Sequence, residues 1–183
     1  MLYADGLRPA FRRPDGVFRD DDPADPFAYH VVTIHDDRPI ATLRVLRLSA
    51  THSGVCERLL GTDALNRLLT RLGIDQTVAW ECSGWAVQPI RRSGGLGLRM
   101  LAAGGAVANK LDLTQGIGAS GTRYGQLYRV LSAGYRLVPE LDPIPVPALA
   151  DDIQIVYGAL TALRPAFQAL VTQTAELLEW QDF

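Results

Sequence analysis

The chain has 183 residues, enough for one domain with a full hydrophobic core, so we treat residues 1–183 as a single domain. Its formal net charge of −2 gives no general attraction to nucleic acid. No apolar run approaches the roughly 20 residues of a membrane span, and residues 1–13 lack the apolar segment of a signal peptide. These features predict a cytoplasmic protein with no membrane span and no nucleic-acid partner.

The first half of the sequence predicts a hairpin, a helix and a long strand. Asp36-Asp37-Arg38 is a turn sequence between two stretches rich in β-branched and apolar residues, and it predicts a β-hairpin. Leucines then recur with helical spacing between Thr62, a capping residue, and Gly73, a helix stop. In chain order the predicted elements are a short helix and loop over 1–28, strands over 28–35 and 39–48, a polar loop over 49–56, a helix over 63–72 and a strand over 77–87.

The second half alternates helices and strands. In chain order we predict a helix over 95–111, a strand over 116–120, a helix over 124–133, a strand over 135–138, an irregular loop or bulged hairpin over 139–147, a strand over 152–157 and an amphipathic helix over 165–180. Gly104 and Gly105 each cost a helix roughly 1 kcal/mol relative to alanine, so we expect them at a close packing contact. This order predicts an α/β (α+β) fold, a mixed sheet with helices on its faces.

The predicted strand over 77–87 carries a carboxylate and a hydroxyl side by side. Side chains alternate along a strand, so we expect Glu81, Ser83 and Trp85 to share one face of the sheet. A carboxylate beside a hydroxyl can accept a proton or orient an amine, which makes Glu81 and Ser83 candidate catalytic residues. A hydrogen-bonded polar pair at a sheet edge is the alternative.

A turn rich in arginine and glycine follows this strand and leads into the helix over 95–111. It reads Arg92-Ser93-Gly94-Gly95-Leu96-Gly97. Such a turn leaves backbone N–H groups pointing outward at a helix N-terminus, where the helix dipole adds about half a positive charge. It therefore predicts an anion cradle for a diphosphate or a phosphopantetheine phosphate. A flexible turn without a ligand is the alternative.

The same turn resembles a family motif. The pattern Arg92-x-x-Gly95-x-Gly97, between a strand and a helix, is similar to the acyl-donor motif of the Gcn5-related N-acetyltransferase (GNAT) superfamily. The resemblance implies a mixed, mostly antiparallel central sheet with helices on both faces, and turn amides that bind the diphosphate of coenzyme A. In such an enzyme we expect the backbone N–H groups near Ala86 and Val87 to hold the developing oxyanion.

Shorter motifs resemble one branch of that superfamily, the branch of acyl-homoserine-lactone synthases and long-chain N-acyl amino acid synthases. In chain order these motifs are Arg8-x-x-Phe11, Asp22-x-x-Asp25, Arg44 and Glu81-x-Ser83. The resemblance implies that Asp22, Asp25 and Arg44 shape the pocket of the amine substrate, and that the co-substrate is acyl-CoA or an acyl carrier protein thioester. Carboxylates can bind the ammonium group of an amino acid, and an arginine can bind its carboxylate, so these residue types match an amino-acid substrate. We expect Trp85 to form a pocket wall.

Two positions depart from the pattern of this branch. Gly84 and Trp85 follow the Glu-x-Ser element where the branch usually has an arginine, which indicates a different acceptor from that of the lactone synthases. Val130 stands four residues before Gly134, where many GNAT enzymes carry a tyrosine. Tyr128 is the nearby candidate general acid, and an ordinary half-buried tyrosine is the alternative.

The sequence therefore predicts an N-acyltransferase that acts on the amine of a small, amino-acid-like molecule. The alternatives are a lactone-forming synthase that uses S-adenosylmethionine, a non-catalytic acyl-thioester-binding protein of the same fold, and a subunit that works only in an assembly. For the run of Asp20, Asp21, Asp22 and Asp25 a solvated acidic loop is the alternative. A homodimer and an acyl carrier protein partner both stay open.

No metal site is predicted. His30 and His35 point to opposite faces of a strand, and His52 stands alone in a loop. Cys56 and Cys82 do not make a disulfide framework, and we expect both to be buried thiols.

Overall fold

One seven-stranded sheet organises the part of the chain that the computed structural model describes, namely Pro14 and residues 22–49, 54–123 and 125–180. Its strands are β1 (Tyr29–His35), β2 (Arg38–Arg47), β3 (Ala79–Val87), β4 (Gln115–Gly121), β5 (Arg136–Leu137), β6 (Ile144–Val146) and β7 (Asp151–Ala159). Their order across the sheet is β1-β2-β3-β4-β7-β5, and β6 pairs with β7. The predicted mixed, mostly antiparallel sheet is confirmed, because only β3 and β4 run parallel to each other.

The parallel pair is short, and this creates an opening in the sheet. β3 and β4 are in register only over Ala79–Cys82 and Gln115–Gly118. β3 continues to Val87 and β4 to Gly121 without pairing with each other. Beyond Cys82 and Gly118 the two strands therefore separate in the middle of the sheet.

Helices cover both faces of the sheet, as predicted. They are α1 (Val55–Leu60), α2 (Thr62–Leu72), α3 (Leu96–Lys110), α4 (Gln126–Ala133) and α5 (Pro165–Ala175). Leu101 of α3, Val130 of α4 and Phe167 of α5 pack in one buried cluster on one face. Cys56 of α1 and Leu65 of α2 pack in another cluster on the opposite face.

Close packing explains the two glycines inside α3. A Cβ on Gly104 would lie 2.7 Å from Cδ2 of Leu43 in β2, and a Cβ on Gly105 would lie 3.2 Å from Cγ2 of Val171 in α5. The expected packing contact is thus confirmed, and side chains of β2 and α5 form it. α3 can therefore lie directly on the sheet with α5 against its other side.

Several element boundaries differ from the prediction. The last two residues of the predicted loop over 49–56 belong to α1. Thr62 is the first residue of α2, and its hydroxyl donates to Glu57 at 2.6 Å instead of capping the N-terminus of the helix. Gly61 is the residue that precedes α2. α5 ends at Ala175, five residues before the predicted end at Trp180. The proline-rich segment over 139–147 contains the short strand β6, which pairs antiparallel with β7.

The hairpin turn is as predicted. Asp36 and Asp37 both have positive φ, 49° and 56°, which suits a two-residue turn that follows the twist of its strands. Some sequence predictions concern positions outside the described residues; they are Arg8, Phe11, Asp20, Asp21, His52 and Tyr124. No helix within the described ranges is both long enough and apolar enough to cross a membrane.

Candidate active site

A β-bulge at Gly84 changes which side chains share a face of β3. Thr42 of β2 pairs with Ala86, whereas Arg44 pairs with Ser83, so β3 uses one residue more than β2 at this point. Gly84 has φ of +59°, a conformation that favours glycine. The extra residue turns Trp85 to the α3–α5 face, where Cζ2 of Trp85 lies 3.2 Å from the Cβ position of Gly97. The predicted common face of Glu81, Ser83 and Trp85 is therefore wrong for Trp85.

Glu81 binds a helix N-terminus. Its side chain is fully buried, and its two carboxylate oxygens accept the backbone N–H groups of Val55 and Cys56 in α1, both at 2.7 Å. Burial raises the pKa of Glu81, and the two N–H groups partly offset this rise. A Cβ on Gly54 would lie 2.6 Å from Oε2 of Glu81, so a larger residue before α1 would have to displace this carboxylate.

This environment bears on the role predicted for Glu81. Both oxygens are occupied, and Glu81 is not among the residues that line the cavity described below. Glu81 is not placed to take a proton from a substrate in that cavity, because both of its carboxylate oxygens bind N–H groups in the first turn of α1. The position instead lets Glu81 hold α1 in place.

Arg44 joins the acidic residues ahead of β1 to the centre of the sheet. Its guanidinium donates to Ser83 Oγ at 3.0 Å and forms ion pairs with Asp22 and Asp25. Arg58 of α1 donates to Asp22 at 2.7 Å. The structure thus brings Asp22, Asp25, Arg44 and Ser83 together. The side chain of Asp22 is 5% exposed, which excludes a solvated position for it, whereas that of Asp25 is 40% exposed and lies outside the cavity lining.

The pKa of Asp22 reflects this network. Burial would raise it, but the backbone N–H of Ala24 and the guanidinium groups of Arg44 and Arg58 hold it below its ordinary value. Asp22 is therefore an anion in the folded protein and a weak base. The two carboxylates and two guanidinium groups carry no net charge together.

A cavity of about 330 Å³ passes through the opening between β3 and β4. On the α1–α2 face its lining includes a group that we call the charged mouth, which consists of Asp22, Arg44, Arg58 and Ser83, together with apolar residues such as Leu59 and Ile117. On the α3–α5 face it is lined by the inner chamber, which consists of Trp80, Cys82, Leu101, Val130, Tyr135 and Val156. The chamber is largely apolar. The cavity therefore has charged side chains at one side of the sheet only, and apolar lining on both sides.

The floor of the inner chamber is built from small residues of β4. Gly116, Gly118 and Ser120 alternate with Ile117 and Ala119, so that one face of the strand carries almost no side chain. At Gly116, which does not line the cavity, the rings of Trp80 and Tyr135 fill the space, each 3.2 Å from its Cβ position; on this face of β4 the cavity is lined by Gly118 and Ser120. Missing side chains in β4 are thus the sequence signal for the cavity.

The cysteines beside the cavity are not activated thiols. Burial and the carboxylate of Glu81 raise the pKa of Cys82 to about 12, although Arg44 lowers it in part. Burial and Glu81 also raise the pKa of Cys56 well above its ordinary value. Both thiols are neutral near pH 7, so neither has the thiolate character of a nucleophile.

The predicted anion cradle lies outside the cavity but next to it. The segment Pro89–Gly94, which includes Arg92 and Ser93, forms a 3-10 turn, and Gly95 follows with φ of +74°. α3 then begins at Leu96, with no side chain that caps its N-terminus. Gly97 packs against Trp85, which lines the cavity. The end of the cavity therefore adjoins the helix N-terminus.

The ladder between β2 and β3 decides where the backbone groups of Ala86 and Val87 point. Gln88 N–H donates to the carbonyl of Ile40 at 2.8 Å. N–H groups alternate along a strand, so Ala86 N–H also points to β2, while Val87 points to the opening. The carbonyl of Val87 accepts Arg92 Nε at 3.1 Å, which agrees with this orientation. The N–H of Ala86 is thus directed at β2 and that of Val87 faces away from β2, and neither residue lines the cavity.

Tyr128 and Tyr135 differ from the sequence prediction. Tyr128 is 77% exposed on α4 and lies outside the set of residues that line the cavity. Tyr135 is buried and lines the inner chamber, whereas the sequence predicts no site role for it. Burial raises the pKa of Tyr135, so its hydroxyl stays protonated. Arg58 was also missed, because its partner Asp22 lies 36 residues away in the chain.

Within the described residues, no group of three or more His, Cys, Asp or Glu side chains is placed to hold a metal ion.

Comparisons with known proteins establish the fold. No family model and no curated protein matches the sequence. A CoA-dependent acyl-homoserine lactone synthase, BjaI, solved with SAM and isopentyl-CoA, matches with a TM-score of 0.65 and 19% identity over 96% of this chain and 77% of that chain. A second such synthase, MesI, has a TM-score of 0.56 and 17% identity, and the match covers 98% of this chain and 92% of that one.

A ribosomal-protein-alanine N-acetyltransferase from Brucella melitensis matches with a TM-score of 0.54 and 12% identity, over 86% of this chain and 90% of that chain. At identities this low the likeness concerns the course of the backbone. It agrees with the resemblance carried by the turn at Arg92 and by the aspartate and arginine motifs. The chain therefore has the GNAT fold, in the form seen in the acyl-homoserine lactone synthases.

Proposed function

We propose that this protein is an N-acyltransferase that moves an acyl group from a coenzyme A or acyl carrier protein thioester to the amine of a small, amino-acid-like molecule. The observation that carries the proposal is the cavity through the sheet. It connects the charged mouth, which suits a zwitterion, to the inner chamber, which suits an acyl group. The opening between β3 and β4 is where the two substrates would meet.

The donor thioester enters from the side of the glycine turn. Its phosphates bind the backbone N–H groups from Arg92 to Gly97 at the N-terminus of α3. The phosphopantetheine arm then runs along β3 beside Val87 and Trp85. Arg91 and Arg99 are exposed at this turn, where they would face a phosphorylated carrier.

The thioester carbonyl lies beside the unpaired edge of β3. The N–H of Val87 points into the opening, and by the same alternation so does that of Trp85. Donors placed where negative charge develops stabilise the tetrahedral intermediate. The acyl tail continues past Cys82 into the inner chamber.

The acceptor amine occupies the charged mouth. Arg58, whose side chain is 35% exposed, attracts its carboxylate, and its ammonium would have to take the place of one of the present hydrogen-bond donors to Asp22. The amine nitrogen attacks the carbonyl carbon, a C–N bond forms and the C–S bond breaks. Starting from an ammonium, one proton ends on the departing thiolate and one is released to solvent. Glu81 acts here as a positioning residue, because it holds the helix that carries Arg58.

A thiol-release assay tests the proposal. The purified protein is mixed with saturated acyl-CoA thioesters of increasing length and with a panel of amino acids, and products are identified by mass spectrometry. Release of free thiol together with a new amide supports it. Thioester binding without thiol release over hours, for every amine, would instead identify a non-catalytic binding protein.

A matched pair of variants tests the acceptor site. Arg58→Gln removes the exposed cation of the charged mouth, and we expect KM for the amine to rise about tenfold while KM for the thioester stays constant. Arg71→Gln is the control, because Arg71 is 52% exposed and its partner is Glu140. Equal effects of both substitutions would contradict the assignment of the mouth.

A lactone-forming synthase is the second candidate. The observation in its favour is that BjaI, which shares the fold over most of this chain, was solved with SAM and isopentyl-CoA. S-adenosylmethionine is itself an amino acid with a free amine and carboxylate, so the charged mouth suits it as well. Adding it to the thiol-release assay and searching the products for an acylated lactone separates the two candidates.

A further inference from the structure

The α1–α2 side of the cavity carries an apolar surface beside the charged mouth. We call it the apolar wall, and it consists of Val55 and Leu59 of α1, Ala119 of β4 and Val146 of β6. All four side chains are half-buried, so a molecule in the cavity can touch them. Ala148 and Leu149, in the turn that follows β6, extend the apolar lining. The acceptor side of the cavity is therefore only partly polar.

One face of α1 holds both a cation and part of this wall. Val55, Arg58 and Leu59 are spaced three and four residues apart, so they lie on the same face of the helix, and all three line the cavity. The Cβ atoms of residues with this spacing are roughly 5–6 Å apart. A molecule the size of an amino acid can therefore bind Arg58 and contact Val55 or Leu59 at the same time.

Charged groups for a further substrate charge are missing beside the wall. Among the described residues that line the cavity, the charged ones are Asp22, Arg44 and Arg58. Asp22 already accepts from both guanidinium groups, and Arg44 is 4% exposed. The carboxylate of the acceptor occupies Arg58. A charged side chain on the acceptor would therefore lie against the wall without a counter-ion, which is costly.

The hydroxyl and amide side chains of the lining also belong to other parts of the cavity. Ser83 accepts from Arg44, and the amide oxygen of Gln126 accepts the N–H of Gly121 at 3.2 Å. Ser120 lies on the opposite face of β4 from Ala119, because side chains alternate along a strand. A hydroxyl or carboxamide held against the wall would lose its hydration and find no side-chain partner on the wall.

The reaction geometry directs the acceptor's side chain to this wall. In the proposed reaction the amine nitrogen faces the thioester at the opening between β3 and β4, and the carboxylate faces Arg58. Both groups are attached to the same tetrahedral carbon, so the side chain must leave it in another direction. On the α1–α2 side, the lining that the mouth leaves over is the apolar wall.

We propose that the acceptor is an amino acid with an uncharged, apolar side chain, and that Val55 and Leu59 of α1, with Ala119 and Val146 opposite the mouth, select it. The inference rests on the proposed function, since it specifies the acceptor of that reaction. It also separates the two candidate acceptors. S-adenosylmethionine carries a sulfonium cation in its side chain, where the wall favours an apolar group.

Amino acids of equal shape test this in the wild-type protein. Leucine, asparagine and aspartate have side chains of nearly the same size, which differ in polarity and charge. Each is offered as acceptor with acetyl-, hexanoyl- and dodecanoyl-CoA, beside methionine, S-adenosylmethionine and the other amino acids of the thiol-release panel. We expect kcat/KM for leucine to exceed that for asparagine and for aspartate at least about tenfold, and methionine to exceed S-adenosylmethionine.

A matched pair of variants connects this preference to the wall. Leu59→Asn places a carboxamide in the wall, and we expect the ratio of kcat/KM for leucine to that for asparagine to fall about fivefold or more. Leu60→Asn is the control. Leu60 is the next residue of α1, is also half-buried and packs against the same cluster, but does not line the cavity. The control should keep the wild-type ratio, even if both variants lose stability.

The outcomes are distinct. Amide formation with equal or higher kcat/KM for asparagine or aspartate overturns the inference but leaves the N-acyltransferase intact, and this comparison needs no variant to fold. A preference for S-adenosylmethionine over methionine also overturns it, in favour of the lactone-forming synthase. An equal change of the ratio in L59N and L60N overturns the role of the wall. If no acceptor gives an amide with any of the thioesters, the proposed function fails, and the inference fails with it.

Discussion

Replacing Glu81 with glutamine separates its role as a positioning residue from the role of a general base. The carboxylate accepts two N–H groups at the start of α1. Glutamine has the same shape but offers one acceptor, so its NH₂ group would face one of the two N–H groups. One charge-assisted hydrogen bond is lost, and the favourable interaction with the helix dipole is lost as well.

The structure allows the size of this effect to be worked out. A hydrogen bond to a charged group contributes about 1.5–3 kcal/mol, and a charge at a helix N-terminus contributes about 0.3–1 kcal/mol. Glutamine carries no charge, so the burial cost that raises the pKa of Glu81 is relieved and offsets part of this loss. Glu81→Gln should therefore lower the free energy of unfolding by at most roughly 4 kcal/mol. For a chain of this size each 1 kcal/mol shifts Tm by about 2–4 °C. The expected fall in Tm is at most roughly 16 °C.

Thermal and urea unfolding measure the stability, and thiol release measures the activity. We expect E81Q to lose stability and to keep kcat within about tenfold of the wild type, because the substitution loosens the helix that carries Arg58 but replaces no side chain that lines the cavity. Glu176→Gln, at an exposed position, should change stability by less than about 0.5 kcal/mol. A variant as stable as the wild type whose kcat falls by about 10²–10⁴ would refute this reasoning and support a general base.

Three further predictions concern separate parts of the molecule. The pKa of Asp22 is lowered in the folded protein, so protonation of Asp22 costs stability. In urea titrations the stability advantage of the wild type over Asp22→Asn should therefore shrink as the pH falls from about 5 to about 3. An advantage independent of pH would contradict this. Tyr128→Phe should leave kcat/KM for thiol release within about twofold, since the side chain is exposed, and a large fall would restore Tyr128 as a general acid. Gly104→Ala should lower the free energy of unfolding by about 1–3 kcal/mol, because its Cβ would meet Leu43 at 2.7 Å. Gly94→Ala is the control, because a Cβ there would have no atom within 4 Å, and it should not lower the stability. Equal stabilities of the two variants in thermal unfolding would count against this packing.

Local patterns were enough to predict the order of the main elements. The aspartate turn of the hairpin, the glycine stops after α2 and α4, and the turn into α3 each depend on a few neighbouring residues, and each appears at the predicted place. Where the prediction placed an element differently, as for α1 and β6, a distant partner is involved. Glu81 holds the first turn of α1, and β7 pairs with β6.

The resemblance of short motifs to one branch of the GNAT superfamily also indicated that Asp22, Asp25, Arg44 and Ser83 belong to one region, and the structure brings the four side chains together. Only the tertiary structure decided that the bulge at Gly84 turns Trp85 to the opposite face. A bulge arises from the pairing register between two strands, and the pattern of polar and apolar residues in a single strand does not reveal it. The cavity was likewise decided in three dimensions. It exists because β3 and β4 stop pairing while Trp80 and Tyr135, 55 residues apart in the chain, come together over Gly116.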